Sequence, residues 1–353
     1  MAYSTIPKGS LYMDTKLYTG NNSPSNTISG IPFAPNLIWI KARGAATDHV
    51  LFDTVRGVYK SLSTNDTTGE NNNTNQLQTF TSDGWTMGDL DTSNAATTFA
   101  SWNWKAGTAV SGSTTGSGTA KTYTGSVNTT SGFSIINYTG NGSSGHTIPH
   151  NLNAVPKMFI VKSPSLADDG WFVYHGSLGA TKNFRMEANG AAGTSSVYWN
   201  DTEPTSSVFT LGSSGGTNQN GQTYIAYIFA DVKGFSKMGS YTGNGNADGT
   251  FVYTGFKPSF VLIKNSSATA DWCLRDDKRS PINVTQDTLF PNTADSESTG
   301  GTSYDIDFLS NGFKIRNTSS RFNTSGNTYI YMAFAENPFV ATSGTNAIPV
   351  TAR

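Results

Sequence analysis

The stretch DHVLFDTVRG, residues 48–57, is the most distinctive run of reactive side chains in the sequence. With strand periodicity His49, Leu51 and Asp53 share one face, and Val50 and Phe52 take the other. Together with Arg56, His49 and Asp53 form a set that could bind an anion or bear on a sugar ring. The plainer alternative is a polar network that orders the loop, with Arg56 paired to Asp53 or to backbone carbonyls. His146 and His150, in HTIPH, are spaced as zinc ligands would be on a helix. Pro149 and the neighbouring Gly and Asn oppose a helix, and no cysteine or third histidine lies near. No metal site is expected.

Glycan cleavage uses two carboxyl groups about 5–10 Å apart. Asp201 with Glu203, Asp89 with Asp91, and Asp305 with Asp307 are the candidate pairs. None lies in an apolar context that would raise a pKa. The sequence has no GxSxG elbow, phosphate loop, dinucleotide fingerprint or EF-hand spacing. The one cysteine, Cys273 in DWCLRD, reads as a small apolar strand residue. The expectation is a non-enzyme without a cofactor. Trp171 and Trp199 are candidates for exposed rings that stack on a sugar or a partner; Trp39, Trp102 and Trp104 are expected in the core of the first unit. The candidate binding residues are therefore His49, Asp53, Arg56, Trp171 and Trp199.

The elements that must position them repeat. LYTGNN, NYTGNG and SYTGNG begin at 17, 137 and 240. Counting from Tyr18, Tyr138 and Tyr241, a lysine follows after 23, 24 and 23 residues: Lys41, Lys162 and Lys264. Each closes an apolar run, NLIWIK, KMFIVK or SFVLIK, and an Asp stands seven residues beyond. Each unit ends on a strand-like run: FASWNWKA, YIAYIFA or YIYMAFA. A period of about a hundred residues is too long for a solenoid and long enough for a core per unit. Apolar runs between Gly/Asn/Ser/Thr clusters predict strands and turns. The fold expected is all-β: three tandem antiparallel β-sandwich, jelly-roll-like domains. The runs apolar on both faces predict central strands covered on both sides. Their lysines are expected where the strand leaves for solvent. Gly20, Gly140 and Gly243 are expected at positive φ in turns.

The division expected is domain one at 1–110, a linker at 111–130, domain two at 131–232, domain three at 233–340 and a tail at 341–353. The linker region is rich in Gly, Ser and Thr and nearly uncharged, which predicts a flexible or extended connector. DVKGFSKMG predicts a rigid joint between units two and three. Charged residues are only 13 % of the chain, and the net charge of −1 argues against nucleic acid as a partner. No apolar run reaches membrane-span length, the start shows no signal-peptide h-region, and one cysteine allows no intrachain disulfide.

YTGN…IPFAPNLIWIKARG…DHVLFDTVRGVYKSL…LQTFTSDGWTMG…FASWNWKAG resembles a repeated, uncharacterised β-rich domain of virion proteins from bacteriophages, marine ones in particular. The ending MAFAENPFV…IPVTAR resembles the usual close of such chains. Unit one matches best, and units two and three depart at the HxLFDxVRG stretch. The resemblance implies a virion protein, tail-fibre-like or otherwise structural, that contacts other virion proteins. It implies a homo-oligomer, expected to be a trimer. Loops rich in Asn, Asp, Ser and Trp add, from composition alone, a host-surface glycan as a candidate ligand.

Overall fold

The computed structural model describes residues 4–167 and 169–338. Unit one contains β1 (Met13–Thr19), β2 (Asn26–Ile28), β3 (Leu37–Ala42), β4 (Val50–Asp53), β5 (Lys60–Ser63), β6 (Asn71–Asn72), β7 (Leu77–Thr81), β8 (Gly84–Met87) and β9 (Thr98–Trp104). Unit two contains β10 (Thr108–Ser113), β11 (Thr115–Gly116), β12 (Thr122–Asn128), β13 (Phe133–Thr139), β14 (His146–Pro149), β15 (Pro156–Lys162), β16 (Phe172–His175), β17 (Lys182–Arg185), β18 (Gly193–Thr194), β19 (Val208–Leu211) and β20 (Thr223–Ala230). Unit three contains β21 (Ser236–Thr242), β22 (Phe251–Tyr253), β23 (Phe256–Asn265), β24 (Cys273–Asp276), β25 (Ile306–Leu309), β26 (Gly312–Ile315) and β27 (Thr328–Pro338).

The three units share one strand order. The opening strand pairs with the closing strand, then comes the central apolar strand, then the next: β1-β9-β3-β4, β13-β20-β15-β16 and β21-β27-β23-β24, all antiparallel. A three-stranded sheet lies over each: β2-β8-β7, β11-β14-β19 and β22-β26-β25. Each repeated tyrosine stands opposite the first aromatic of its closing strand, Tyr18 with Phe99, Tyr138 with Tyr224, Tyr241 with Tyr329. The rings stack at 5.1, 5.2 and 5.0 Å.

Period-two alternation sends each main sheet's side chains two ways. In unit one Ile38, Ile40, Val50 and Phe52 pack outward under β8, beside Trp85 and Met87. In unit two Ile136, Tyr138, Phe159 and Val161 pack outward against Phe209 and Leu211. The inward faces of all three sheets meet in one central core. There Trp104, Phe229 and Phe334, equivalent residues of the closing strands, form a triangle of edge-to-face rings. The centroid distances are 6.1 Å (Trp104–Phe229), 5.8 Å (Trp104–Phe334) and 6.0 Å (Phe229–Phe334). Edge-to-face is the favoured geometry for aromatic pairs. The triangle marks a pseudo-threefold axis within a single chain.

Four expectations change here. The sandwiches are present, but the units share a central core rather than each closing its own. Trp39, Trp102 and Trp104 face that shared core. The linker is no loose connector: β10 and β12 form a hairpin that pairs along β13, and β11 pairs with β14. Uncharged Thr, Ser and Val in alternation can join a sheet edge as well as they can remain extended. Lys41, Lys162 and Lys264 do not exit to solvent; all three are fully buried. Finally, Gly20, Gly140 and Gly243 are not at positive φ. A Cβ there would collide with the backbone carbonyl of Ala95, Gln219 or Thr324 respectively, so the glycine is required by close approach. The expected tail, 341–353, lies outside the described residues.

Candidate functional site: the joints between the units

The hexapeptide closes around a buried asparagine, one per unit. Asn94 Nδ2 donates to Gly88 O at 2.8 Å while its Oδ1 accepts from Asn21 N–H at 3.1 Å. Asn218 does the same with Gly212 O and Asn141 N–H, at 2.8 and 3.0 Å. Asn323 does so with Asn317 O and Asn244 N–H, at 2.8 and 2.9 Å. The tyrosine hydroxyls complete the knot. Tyr18, Tyr138 and Tyr241 donate to the carbonyls of Ser93, Thr217 and Phe322. The repeated motif is thus an internal fastening.

The DHVLFDTVRG stretch is a fastening between units. Asp53 ends β4 and Arg56 follows in the turn. Arg56 Nε lies 2.6 Å from Asp53 Oδ2, and its other nitrogens donate to Leu51 O (2.9 Å) and Glu70 Oε2 (3.1 Å). Tyr227 of unit two donates to Asp53 Oδ2 at 2.8 Å. Burial opposes the Arg56 charge, but Asp53 and Glu70 outweigh it and hold the guanidinium above its ordinary value. Unit three repeats this arrangement. Arg279 Nε lies 2.5 Å from Asp276 Oδ2, with partners Leu274 O (2.9 Å) and Glu297 Oε1 (2.7 Å). Trp102 of unit one donates to Asp276 Oδ2 at 3.0 Å. Tyr227 and Trp102 occupy the same place in their closing strands. In unit two His175 stands where the aspartates stand, and its Nε2 contacts Tyr331 O of unit three at 3.2 Å. The three contacts run in a cycle around the axis.

Other positions join in the same sense. The Trp171 indole of unit two donates to Ser63 O of unit one at 2.7 Å, and the Trp272 indole of unit three donates to Arg185 O of unit two at 3.1 Å. His49, their counterpart, accepts from the Trp39 indole at 3.0 Å. Burial and the nearby Lys41 and Arg279 charges push His49 far below the usual histidine range, so its ring is neutral. Lys162 reaches Thr67 O of unit one at 3.0 Å, and Lys264 reaches Asn189 O of unit two at 3.1 Å. Burial lowers the ammonium groups of Lys41 and Lys264 to about 8.

All five sequence candidates are therefore inside. His49, Asp53, Arg56 and Trp171 meet at or beside the joints, while Trp199 lies apart in the outer core of unit two against Phe159. The exposure expected of Trp171 and Trp199 does not occur, because each indole fills a gap between layers. The stretch is also not confined to unit one, since Asp276 and Arg279 reproduce its ion pair. That was legible: Lys41 to Asp53 and Lys264 to Asp276 are the same twelve-residue step. Tyr227 and Trp102 carried no such signal, because their partners lie in another unit.

The remaining reactive groups are dispersed. His146 contacts Asn218 Oδ1 and Thr114 Oγ1 at 2.8 and 2.7 Å, and His150 contacts Thr205 O at 3.2 Å; both sit at the ends of a strand, not on a helix. No cluster of metal-binding side chains exists among the described residues. Glu203 accepts from the Tyr174 hydroxyl at 2.5 Å and the Ala180 N–H at 2.7 Å, and Asp307 lies 3.5 Å from Arg316. Burial pushes the Cys273 thiol up to about 12, leaving it unreactive. One carboxyl escaped the sequence reading. Asp14 lines a cleft of about 500 Å³ between β1 and unit three, with Lys8, Lys278 and Glu336. Burial raises it to about 6, against the pull of Lys278. MDTKLYT reads as a plain alternating strand, and the burial comes from a segment far along the chain.

Fold and joints together define an all-β protein in which three sandwich repeats close on themselves around an internal pseudo-threefold axis. No helix among the described residues is long and apolar enough to cross a membrane. The chain belongs to the family described as a domain of unknown function (DUF7483), whose match covers residues 8–338 and so takes in all three repeats as one unit. No curated protein and no solved structure matches it.

Proposed function

We propose that the protein is a non-enzymatic structural component of a bacteriophage particle, a tail-fibre or attachment protein that meets the host surface. The resemblance of unit one to virion domains supports this reading. The observation that carries it is the use made of the reactive side chains. Asp53, Arg56, Asp276, Arg279, Lys162 and Lys264 are spent on holding three units together, as a rigid contact body requires. Mass spectrometry of purified particles tests the proposal: peptides of this chain in the tail fraction are expected, and their absence from intact particles overturns it. Peptides confined to the head fraction would make it a capsid decoration instead. The attachment role implies a host-surface glycan as ligand, and labelled protein is expected to stain host cells. A polysaccharide-cleaving activity would show as new reducing ends from host glycan, and none are expected. A homotrimer belongs to the same proposal; light scattering is expected to give three times 37.6 kDa.

A further inference from the structure

Units two and three carry equivalent strands on one flank, and among the described residues that flank is covered only in unit two. There β12 runs along β13, and β11 pairs with β14, with Thr115 Oγ1 2.6 Å from Thr147 Oγ1. In unit three the equivalents, β21 and β22, are the outermost strands of their sheets. Among the described residues no strand pairs beyond them. A cleft of about 590 Å³ opens there, lined by Ser236 and Lys237 at the start of β21 and by Tyr253 and Thr254 at the end of β22.

The side chains of β22 depart from the repeat. Ile28, Ile148 and Val252 are equivalent, each opposite the inward aromatic of the neighbouring strand. Flanking them are Thr27 and Ser29 in unit one, Thr147 and Pro149 in unit two, but Phe251 and Tyr253 in unit three. Those two rings are 43 % and 58 % exposed. Small or polar residues satisfy the fold in two units of three, so the rings in the third are not a folding requirement. Nor is this edge blunted by lysine, proline or a bulge, the usual protections of a free strand. Ile315 N–H donates to Thr250 O. In an antiparallel ladder that phase turns Val252 toward β26, and it directs the N–H and C=O of Phe251 and Tyr253 to the open side.

We propose that this flank is a strand-acceptor site. An extended, uncharged segment of a partner protein, rich in Thr, Ser and Gly, pairs with β22 as β11 pairs with β14, and packs against the Phe251 and Tyr253 rings. The chemistry of the partner is taken from the segment that fills the equivalent place in unit two. Main-chain pairing supplies affinity and the rings supply selectivity, as in other strand additions. An acceptor flank would serve any assembly, so its failure leaves the virion proposal standing, and the reverse.

The test uses the whole chain and a labelled peptide of residues 107–128. The expected result is saturable binding with hydrogen-exchange protection at Phe251 and Tyr253. Tyr253→Lys and Phe251→Pro are each expected to weaken binding at least about tenfold, with thermal unfolding of the Tyr253→Lys protein unchanged. No saturable binding to the folded protein overturns the proposal. So does binding that survives both substitutions, or that displaces the chain's own hairpin at β14. A dimer that Tyr253→Lys dissolves would make a second copy the occupant and overturn the partner assigned here.

Discussion

The asparagine in each knot shows how little sequence such a fastening needs. Asn94, Asn218 and Asn323 satisfy backbone groups from both sides of a turn, and a buried group left without a partner costs about 1–3 kcal/mol. Asn218→Ala orphans the Gly212 carbonyl and the Asn141 N–H together, while the Ser143 carbonyl keeps the His146 N–H. It is expected to lower the unfolding free energy by about 2–4 kcal/mol in urea titration. The lysines make a pH prediction. In the unfolded chain a lysine titrates near its ordinary value, whereas folding lowers Lys41 and Lys264 to about 8 and Lys162 in the same direction. Between about pH 8 and 10 the unfolded state thus holds more protons, and stability rises with pH. Below that window both states are protonated and the lysines' contribution is flat. Cys273, raised to about 12, acts the opposite way, while Arg275, lowered by burial to about 9, acts with the lysines. Above pH 10 Tyr18, Tyr138 and Tyr241, held protonated by burial, reverse the slope. The urea midpoint is expected to rise from pH 8 to 9.5, and Lys41→Met with Lys264→Met is expected to flatten the rise.

At the scale of elements, the turn after β4 and the turn after β24 are one device built twice. Removing one partner of a buried ion pair strands the other, at about 3–5 kcal/mol. Asp53→Asn and Asp276→Asn are each expected to destabilise by roughly that amount, while Tyr227→Phe, which removes one donor from a carboxylate, costs about 1.5–3 kcal/mol. Chemical denaturation of the three variants checks both size and order. An Asp248→Asn control breaks only surface contacts with Lys314 and Arg316 and is expected to leave the midpoint in place. The strands themselves were legible in the sequence, because alternation and twofold-apolar runs are local properties. LIWIKA reads as a covered strand and is one. The fate of the lysines was not legible: Lys41 turns back to Ala42 O and Ala45 O, and Lys162 and Lys264 each reach a carbonyl of another unit. For the same reason TAVSGS looked like a tether: edge pairing is decided by what lies alongside.

At the scale of the molecule, the repeat was plain in the sequence but the shared core was not. Trp104, Phe229 and Phe334 sit in runs that would equally suit three separate sandwiches. Their meeting has a measurable consequence. The chain is expected to unfold in a single calorimetric transition with equal calorimetric and van't Hoff enthalpies, where three autonomous domains would give resolved steps. Residues 233–340 alone are expected not to fold, because Phe260, Leu262, Met332 and Phe334 would face water. A resolved three-step melt, or a stable isolated unit, would contradict the shared core. The covalent links between repeats have a further effect. A ring of separate subunits dissociates when diluted, whereas linked modules see each other at an effective concentration that can reach the millimolar range. The Trp104–Phe229–Phe334 triangle therefore persists at any dilution. And because its corners are encoded separately, each corner is free to drift toward a task the other two do not share.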